Sequence, residues 1–434
     1  MFMIDYDPDQ LLYEIKVLKK KVAIFGFSTE GLILYEVLKK KNIPVEYFID
    51  EKKSIIDFNI KKIKIYSLSD LDDQDKNIII FLGTKYVNSV FEKLKNFNFN
   101  HIYDDYKIFK LINDYKDINI PEFNFKIDKE KIYRNIKLYE LNSLRENKLR
   151  LANKNKINQL VKFQEKLLIN NVDIVVTERC SMKCLHCSNM MQYYEKPKNS
   201  SFSLLLNSIK KLMSAADKIS ELRVIGGEPF MNKDISKIIN FLLSFNNFDV
   251  IIVYTNANII PKGDNLICLK NPKVKIHITD YSSTGAVNIK KFIPEKLNQF
   301  VNVMKENKIN FSIEKVINWL DMGMDKLEKY DENPSQLQKK FIECCGNDIF
   351  TLLEGKLYKC PVSAHGDNLN FFSSNKDFIN FNDDSLNPNN LKDKLKIFYN
   401  NDKYVKACSY CKGRSYDNKE IPAGEQTKEV IKYL

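Results

Sequence analysis

The sequence predicts an α/β protein containing two regions of parallel sheet. Three observations lead there. Over residues 1–112, strand-sized apolar runs ("VAIFGF", "VEYFID", "NIIIFLG") alternate with stretches of helical periodicity. A second alternating series begins near residue 171 with "VDIVVTE". Turns rich in glycine or cysteine follow several runs, at the strand ends where α/β proteins place their chemistry.

In the first series, the strand at 22–27 leads into the helix "TEGLILYEVLKKK", the strand at 45–50 follows, and "NIIIFLG" precedes "KYVNSVFEKLKNF". Between first strand and first helix lies "GFSTEG", Gly26 to Gly31, with Ser28 at its centre. It resembles the Rossmann fingerprint with a serine at the middle glycine, the position that lets a pyrophosphate approach the backbone. Asp50 ends the second strand where a ribose-binding acid often sits. Residues 1–112 are therefore expected to form a Rossmann-like domain with a nucleotide site at Gly26, Ser28, Gly31 and Asp50. The alternative is a sheet whose glycines only shape a turn. The domain is also similar to N-terminal domains of bacterial sugar-modifying proteins, which hold a nucleotide-linked sugar.

The formal charge is +12, but residues 1–112 are nearly balanced, with 18 lysines against 17 acids, whereas 113–170 carry 13 basic residues and 8 acids. That middle segment has apolar residues at intervals of three and four and reads as a helical connector with a solvated basic face. Nucleic acid is not an expected partner. The apolar runs fall well short of the roughly 20 residues of a membrane helix. With no basic-then-apolar pattern at the N-terminus, a cytoplasmic protein is expected. In a reducing compartment nine clustered cysteines point to metal or chemistry more than to disulfides.

The second series runs from "VDIVVTE" through the helix "FSLLLNSIKKLMSAA", the strand "ELRVIGGEPF", the helix "DISKIINFLLSF" and the strands "DVIIVYTNA" and "VKIHITDYS". Several βα units with chemistry at the strand ends suggest a full or partial barrel over 171–335. At the first strand end stands "CSMKCLHC": Cys180, Cys184 and Cys187 in the spacing CxxxCxxC. Three thiolates from one short loop fill three corners of a four-iron, four-sulfur cluster and leave one iron open. A zinc site is the alternative. "GGEP", Gly226 to Pro229, ends the next strand.

With both motifs in place, the chain resembles the radical S-adenosylmethionine (radical SAM) enzymes. The resemblance covers roughly 171–415 and implies a partial (β/α)6 barrel. It implies that Cys180, Cys184 and Cys187 hold a [4Fe–4S] cluster and that Gly226, Gly227, Glu228 and Pro229 hold the methionyl amino group of the cofactor. It also implies that Asn256 and Asp280, at later strand ends, touch adenosine or substrate; either could equally cap a helix.

Further on, Cys345 is followed by nine residues, Gly355, four more and Cys360, with Cys408 and Cys411 in "CSYC". This layout resembles the Twitch variant of the SPASM extension, which implies a second, auxiliary [4Fe–4S] cluster on Cys345, Cys360, Cys408 and Cys411 within 336–434. Structural zinc is again the alternative. Cys268 and Cys344 remain, and Cys344 is the better candidate for a hydrogen-donating thiol.

The resemblance implies an enzyme that takes an electron from a flavodoxin- or ferredoxin-type donor and reductively cleaves S-adenosylmethionine to a 5′-deoxyadenosyl radical. The radical abstracts a hydrogen atom from an unreactive C–H bond. A fully ligated auxiliary cluster favours oxidation of an alcohol on a small molecule, a carbohydrate or nucleotide-linked sugar. Epimerisation of a sugar and modification of a peptide are the alternatives within that class. Outside it stands a zinc-stabilised nucleotide-binding module.

Overall fold

The structure, a computed structural model, describes residues 8–26, 31, 34–35, 38–39, 42–50, 64–71, 77–83, 87–104 and 166–432, apart from 348, 375–376, 384–385, 387, 400, 402 and 416. Ser28 and nearly all of the connector expected at 113–170 lie outside the described residues. The chain divides into two compact units, Met1–Leu160 and Val161–Leu434.

The first unit contains a five-stranded parallel sheet of β1 (Val22–Phe25), β2 (Tyr47–Ile49), β3 (Lys64–Tyr66), β4 (Ile79–Leu82) and β5 (His101–Asp104), in the order β3-β2-β1-β4-β5. Every residue of β1, β2 and β4 is buried, which explains their unbroken apolar runs. The order reverses between β1 and β4, where doubly wound sheets bind ligands. Gly26 follows β1 with φ 102°. A Cβ on Gly31 would lie 1.9 Å from the Gly26 carbonyl oxygen, so close backbone approach demands glycine there. Asp50 follows β2 and is buried, its N–H bonded to the Tyr66 carbonyl.

The second unit is organised by β6 (Leu168–Thr177), β7 (Lys218–Gly226), β8 (Phe248–Thr255), β9 (Val274–Asp280) and β10 (Phe311–Lys315). A short β11 (Asn318–Leu320) follows, then β12 (Phe350–Leu353), β13 (Lys356–Tyr358), β14 (Phe378–Asn380) and β15 (Glu420–Pro422). The large sheet has the order β10-β9-β8-β7-β6-β12-β13-β14. From β10 to β12 all neighbours are parallel, which is the expected α/β partial barrel. β13 and β14 continue it antiparallel.

Strand periodicity sorts β6 into two faces. Val172, Ile174 and Val176 join the core formed with Leu205, Ile209, Ile235 and Ile239 of the covering helices Phe202–Ala215 and Ile235–Leu243. The opposite face carries Asn171, Asp173, Val175 and Thr177, and Val175 packs on Leu353, Tyr358 and Ala364. The barrel interior is therefore mixed polar and apolar, while its outer layer is an ordinary aliphatic core. Among the described residues no helix is long and apolar enough to cross a membrane.

Candidate functional site

The CxxxCxxC loop leaves β6 directly and folds over the ends of β7 and β8. Its turn is tight: Cys187 N–H donates to the Cys184 carbonyl at 3.2 Å, and Lys183 and Met190 adopt φ 54° and 57°. Cys180, Cys184 and Cys187 influence one another electrostatically, Cys184 being buried and the other two half-buried. Burial pushes the Cys180 thiol up to about 12 and raises Cys184 and Cys187 as well. Three such thiols ionise only when cationic metal takes the place of their protons.

Both glycines of GGEP are required by this loop. A Cβ on Gly226 (φ 154°) would sit 2.2 Å from the Thr177 carbonyl oxygen, and one on Gly227 would sit 2.1 Å from that of Arg179 and 2.7 Å from Cys180 Cβ. Gly227 N–H and Glu228 N–H donate to the Thr177 and Arg179 carbonyls at 2.9 and 2.7 Å, sealing loop to strand. The Gly226 carbonyl accepts from Asn189 Nδ2 at 3.0 Å.

Glu228 is fully buried, which raises its carboxyl to about 7. Its Oε1 accepts from the Thr255 hydroxyl at 2.9 Å and from Phe230 N–H at 3.3 Å, and its Oε2 accepts from Asn256 N–H at 2.9 Å. Both oxygens are thus engaged by the chain, and the side chain braces the ends of β7 and β8. Asn256 in turn meets Ser181 of the cysteine loop, Nδ2 to Oγ at 3.1 Å. Asp280 accepts from Ser282 N–H at 2.8 Å and caps the turn after β9. Pro229 opens the short turn Pro229–Met231 that Glu228 caps.

Sequence reasoning missed the far end of the chain. Gln426 forms a bridge with Cys184, Leu185 N–H donates to Glu425 O at 2.6 Å, and Thr427 N–H donates to Lys183 O at 3.1 Å. No local periodicity marks that segment as part of the site.

In the second cysteine group the cavity lining differs by one residue from the set that the resemblance implied. Cys344, Cys360, Cys408 and Cys411 line one cavity with Met322, Phe341 and other apolar side chains. Cys345 does not line it. Cys344 Sγ accepts from Arg414 N–H at 3.3 Å and Gly346 N–H at 3.4 Å, Cys360 Sγ from Ser363 N–H at 3.4 Å, and Cys411 Sγ from Gly413 N–H at 3.2 Å. Backbone N–H groups aimed at sulfur are a means of tuning an iron–sulfur centre. Cys344 caps the helix Pro334–Glu343 in extended conformation, where successive side chains point opposite ways. Only one of two adjacent cysteines can face the cavity, and it is Cys344. The hairpin joining this group turns at Glu354 and Gly355, φ 46° and 81°, between β12 and β13.

Among the described residues, His186, Asp321 and Asp325 bring ligand atoms within 4.8 Å of one another.

No family model matches the chain. A GTP 3′,8-cyclase of Clostridium acetobutylicum is 33% identical over 96 residues, 22% of this chain and 29% of that protein. The Staphylococcus epidermidis protein of the same name is 26% identical over 194 residues, 42% of this chain and 56% of that protein. The chain thus spans between about a third and somewhat over half of these curated relatives. Among solved structures, BtrN in complex with AdoMet and 2-DOIA is 15% identical with TM-score 0.36, covering 62% of this chain and 99% of that one. SuiB of Streptococcus suis bound to S-adenosylmethionine is 13% identical with TM-score 0.34, covering 69% and 90%. The CxxxCxxC loop sealed onto a GGEP strand end, together with the curated relatives it matches, supports reading the chain as a radical SAM enzyme, one that takes S-adenosylmethionine and a [4Fe–4S] cluster.

Proposed function

We propose that this enzyme oxidises a secondary alcohol of a small hydroxylated molecule, a sugar or nucleotide-linked sugar, with an auxiliary [4Fe–4S] cluster on Cys344, Cys360, Cys408 and Cys411. The observation that carries this reading is the convergence of those four cysteines on one cavity. Four chain ligands leave no iron open to substrate, which suits an electron acceptor. The same convergence engages Cys344, the thiol that epimerisation would need for returning a hydrogen atom. Bound at the CxxxCxxC loop, the cofactor pair supplies the means of removing one hydrogen atom from the substrate, and the remaining electron and proton leave to the auxiliary centre and to solvent.

The chain's own residues position and exclude water. Glu228 and Asn256 tie the ends of β7 and β8 to Ser181, and residues 425–427 pair with the loop at Lys183 to Leu185. By this reading a flavodoxin- or ferredoxin-type donor supplies electrons in the cytoplasm. The first unit, with Gly26, Gly31 and Asp50 at its sheet reversal, would hold the nucleotide of a nucleotide-linked substrate. Cyclisation of GTP, the activity in the names of the curated relatives, is the rival reading. Anaerobic turnover with a panel of sugars, nucleotide sugars and GTP separates them by product mass. A sugar product two hydrogens lighter than substrate supports oxidation. Unchanged mass with solvent deuterium means epimerisation, and conversion of GTP alone sinks the proposal.

A further inference from the structure

The interior face of the second unit's sheet carries a charged group that neither cysteine centre uses. Asp173 on β6 stands in register with Arg223 on β7, and Glu221 lies two residues earlier on the same strand. Arg223 is bound to Glu221 through Nε and Nη2, both 2.9 Å from Oε2, and its Nη1 is 3.8 Å from Asp173 Oδ1. Glu221 Oε1 stands outside that pair, and Asp173 Oδ1 faces Arg223 only beyond hydrogen-bond distance. Asp173 Oδ1 and Glu221 Oε1 are inaccessible to solvent and accept no hydrogen bond from the chain, in residues only 4% and 3% exposed.

Two buried carboxylate oxygens without donors are costly, and a fold that needed only an ion pair would satisfy both. Arg223 and, more weakly, Arg414 act on Asp173 electrostatically, so the charge of the acids is already partly balanced. A phosphate would bring further negative charge against the orphan oxygens. A neutral ligand with O–H donors would complete them without upsetting that balance. Tyr254 on β8 and His277 on β9, with rings 4.7 Å apart, continue the same face. They add the flat apolar surface against which a sugar ring packs.

We infer that Asp173 Oδ1 and Glu221 Oε1 form a substrate subsite that accepts two hydroxyl groups of an uncharged polyol ring. The inference rests on the proposed carbohydrate substrate and deepens it, by assigning specificity to two side chains outside both cysteine groups. It places the ring, and not an attached phosphate or nucleotide, at this face.

The test is calorimetric binding to the anaerobically reconstituted full chain, with glucose, N-acetylglucosamine, myo-inositol and UDP-glucose as probes and GTP as anionic comparator. At least one hydroxylated probe is expected to bind. Asp173→Asn and Glu221→Gln should each weaken that probe about tenfold or more, the loss of one charge-assisted hydrogen bond. Iron content and S-adenosylmethionine binding should not change. Should Glu221→Gln destabilise the fold by stranding Arg223, the paired Glu221→Met, Arg223→Met change removes both charges together and should still abolish the gain. Sugar binding unaltered in every variant overturns the subsite and leaves the proposed substrate class standing. Binding of GTP with none of the hydroxylated probes overturns the substrate class and the subsite with it.

Discussion

The carboxylate of Glu228 accepts the backbone N–H of Asn256 at 2.9 Å, fastening the end of β7 to the end of β8 beneath the cysteine loop. Replacing it by alanine leaves the Asn256 N–H and the Thr255 hydroxyl buried without that acceptor. Glu228→Ala should lower stability by about 3 kcal/mol, read from denaturant unfolding of the metal-free protein. A loss below about 0.5 kcal/mol would show that the brace is dispensable.

The neighbouring cysteines Cys344 and Cys345 should behave differently. Reconstituted protein should hold about eight irons in two clusters. Cys344→Ala should lose about four of them, whereas Cys345→Ala should keep the full complement. Equal loss in both variants, or loss in Cys345→Ala alone, would return the ligand role to Cys345.

The glycine pressed against the cysteine loop gives a local test of the first centre. In Gly227→Ala the new methyl would collide with the Arg179 carbonyl at 2.1 Å and with Cys180 Cβ at 2.7 Å, and backbone cannot yield as a side-chain tip can. The loop should shift, with loss of about four irons and of S-adenosylmethionine binding. The electron paramagnetic signal of the auxiliary cluster should persist. An unperturbed first cluster in this variant would contradict the packing.

Two buried acids set a pH dependence. Burial raises Asp173 from 3.8 to about 6, with Arg223 and Arg414 opposing and Glu221 reinforcing, and raises Glu228 from 4.5 to about 7. Between the lower and upper of these values the folded chain holds more protons than the unfolded one, so stability contributed by these groups falls as pH rises. The metal-free protein should therefore have a higher urea midpoint near pH 5.5 than near pH 8, and Glu228→Gln should reduce the difference. Asp217, Asp321 and Asp367, whose values are lowered, act in the opposite sense but below this window, whereas buried His365, lowered from 6.5 to about 3, opposes within it and makes the fall smaller. A midpoint that rises from pH 5.5 to 8 would contradict the assignment.

Much of the architecture was legible because it is written in local period. Unbroken apolar runs such as "VAIF" and "IIFL" mark strands buried on both faces, and their alternation with helices admits few arrangements other than parallel sheets. The CxxxCxxC spacing and the GGEP strand end were equally plain, since each is a contiguous stretch whose chemistry depends on neighbours in sequence. A signal for the interior subsite was also present: Asp173, Glu221 and Arg223 interrupt apolar strands at alternate positions, where a purely structural strand would carry aliphatics.

By itself, then, the sequence determined the strand and helix series, the α/β class and the place of the CxxxCxxC loop at a strand end. The tertiary structure decided which of two adjacent cysteines joins the second group. Ten residues separate Cys344 from Gly355 and nine separate Cys345, and both spacings suit the same hairpin. Only the extended exit from the helix Pro334–Glu343, against the packed segment around Arg414, points one sulfur inward. Tertiary structure likewise brought Gln426 to Cys184 and set the Glu228 carboxylate against the Asn256 N–H. These pairings join residues distant along the chain, and no local pattern encodes them: they exist once the sheet has closed and brought its strand ends together.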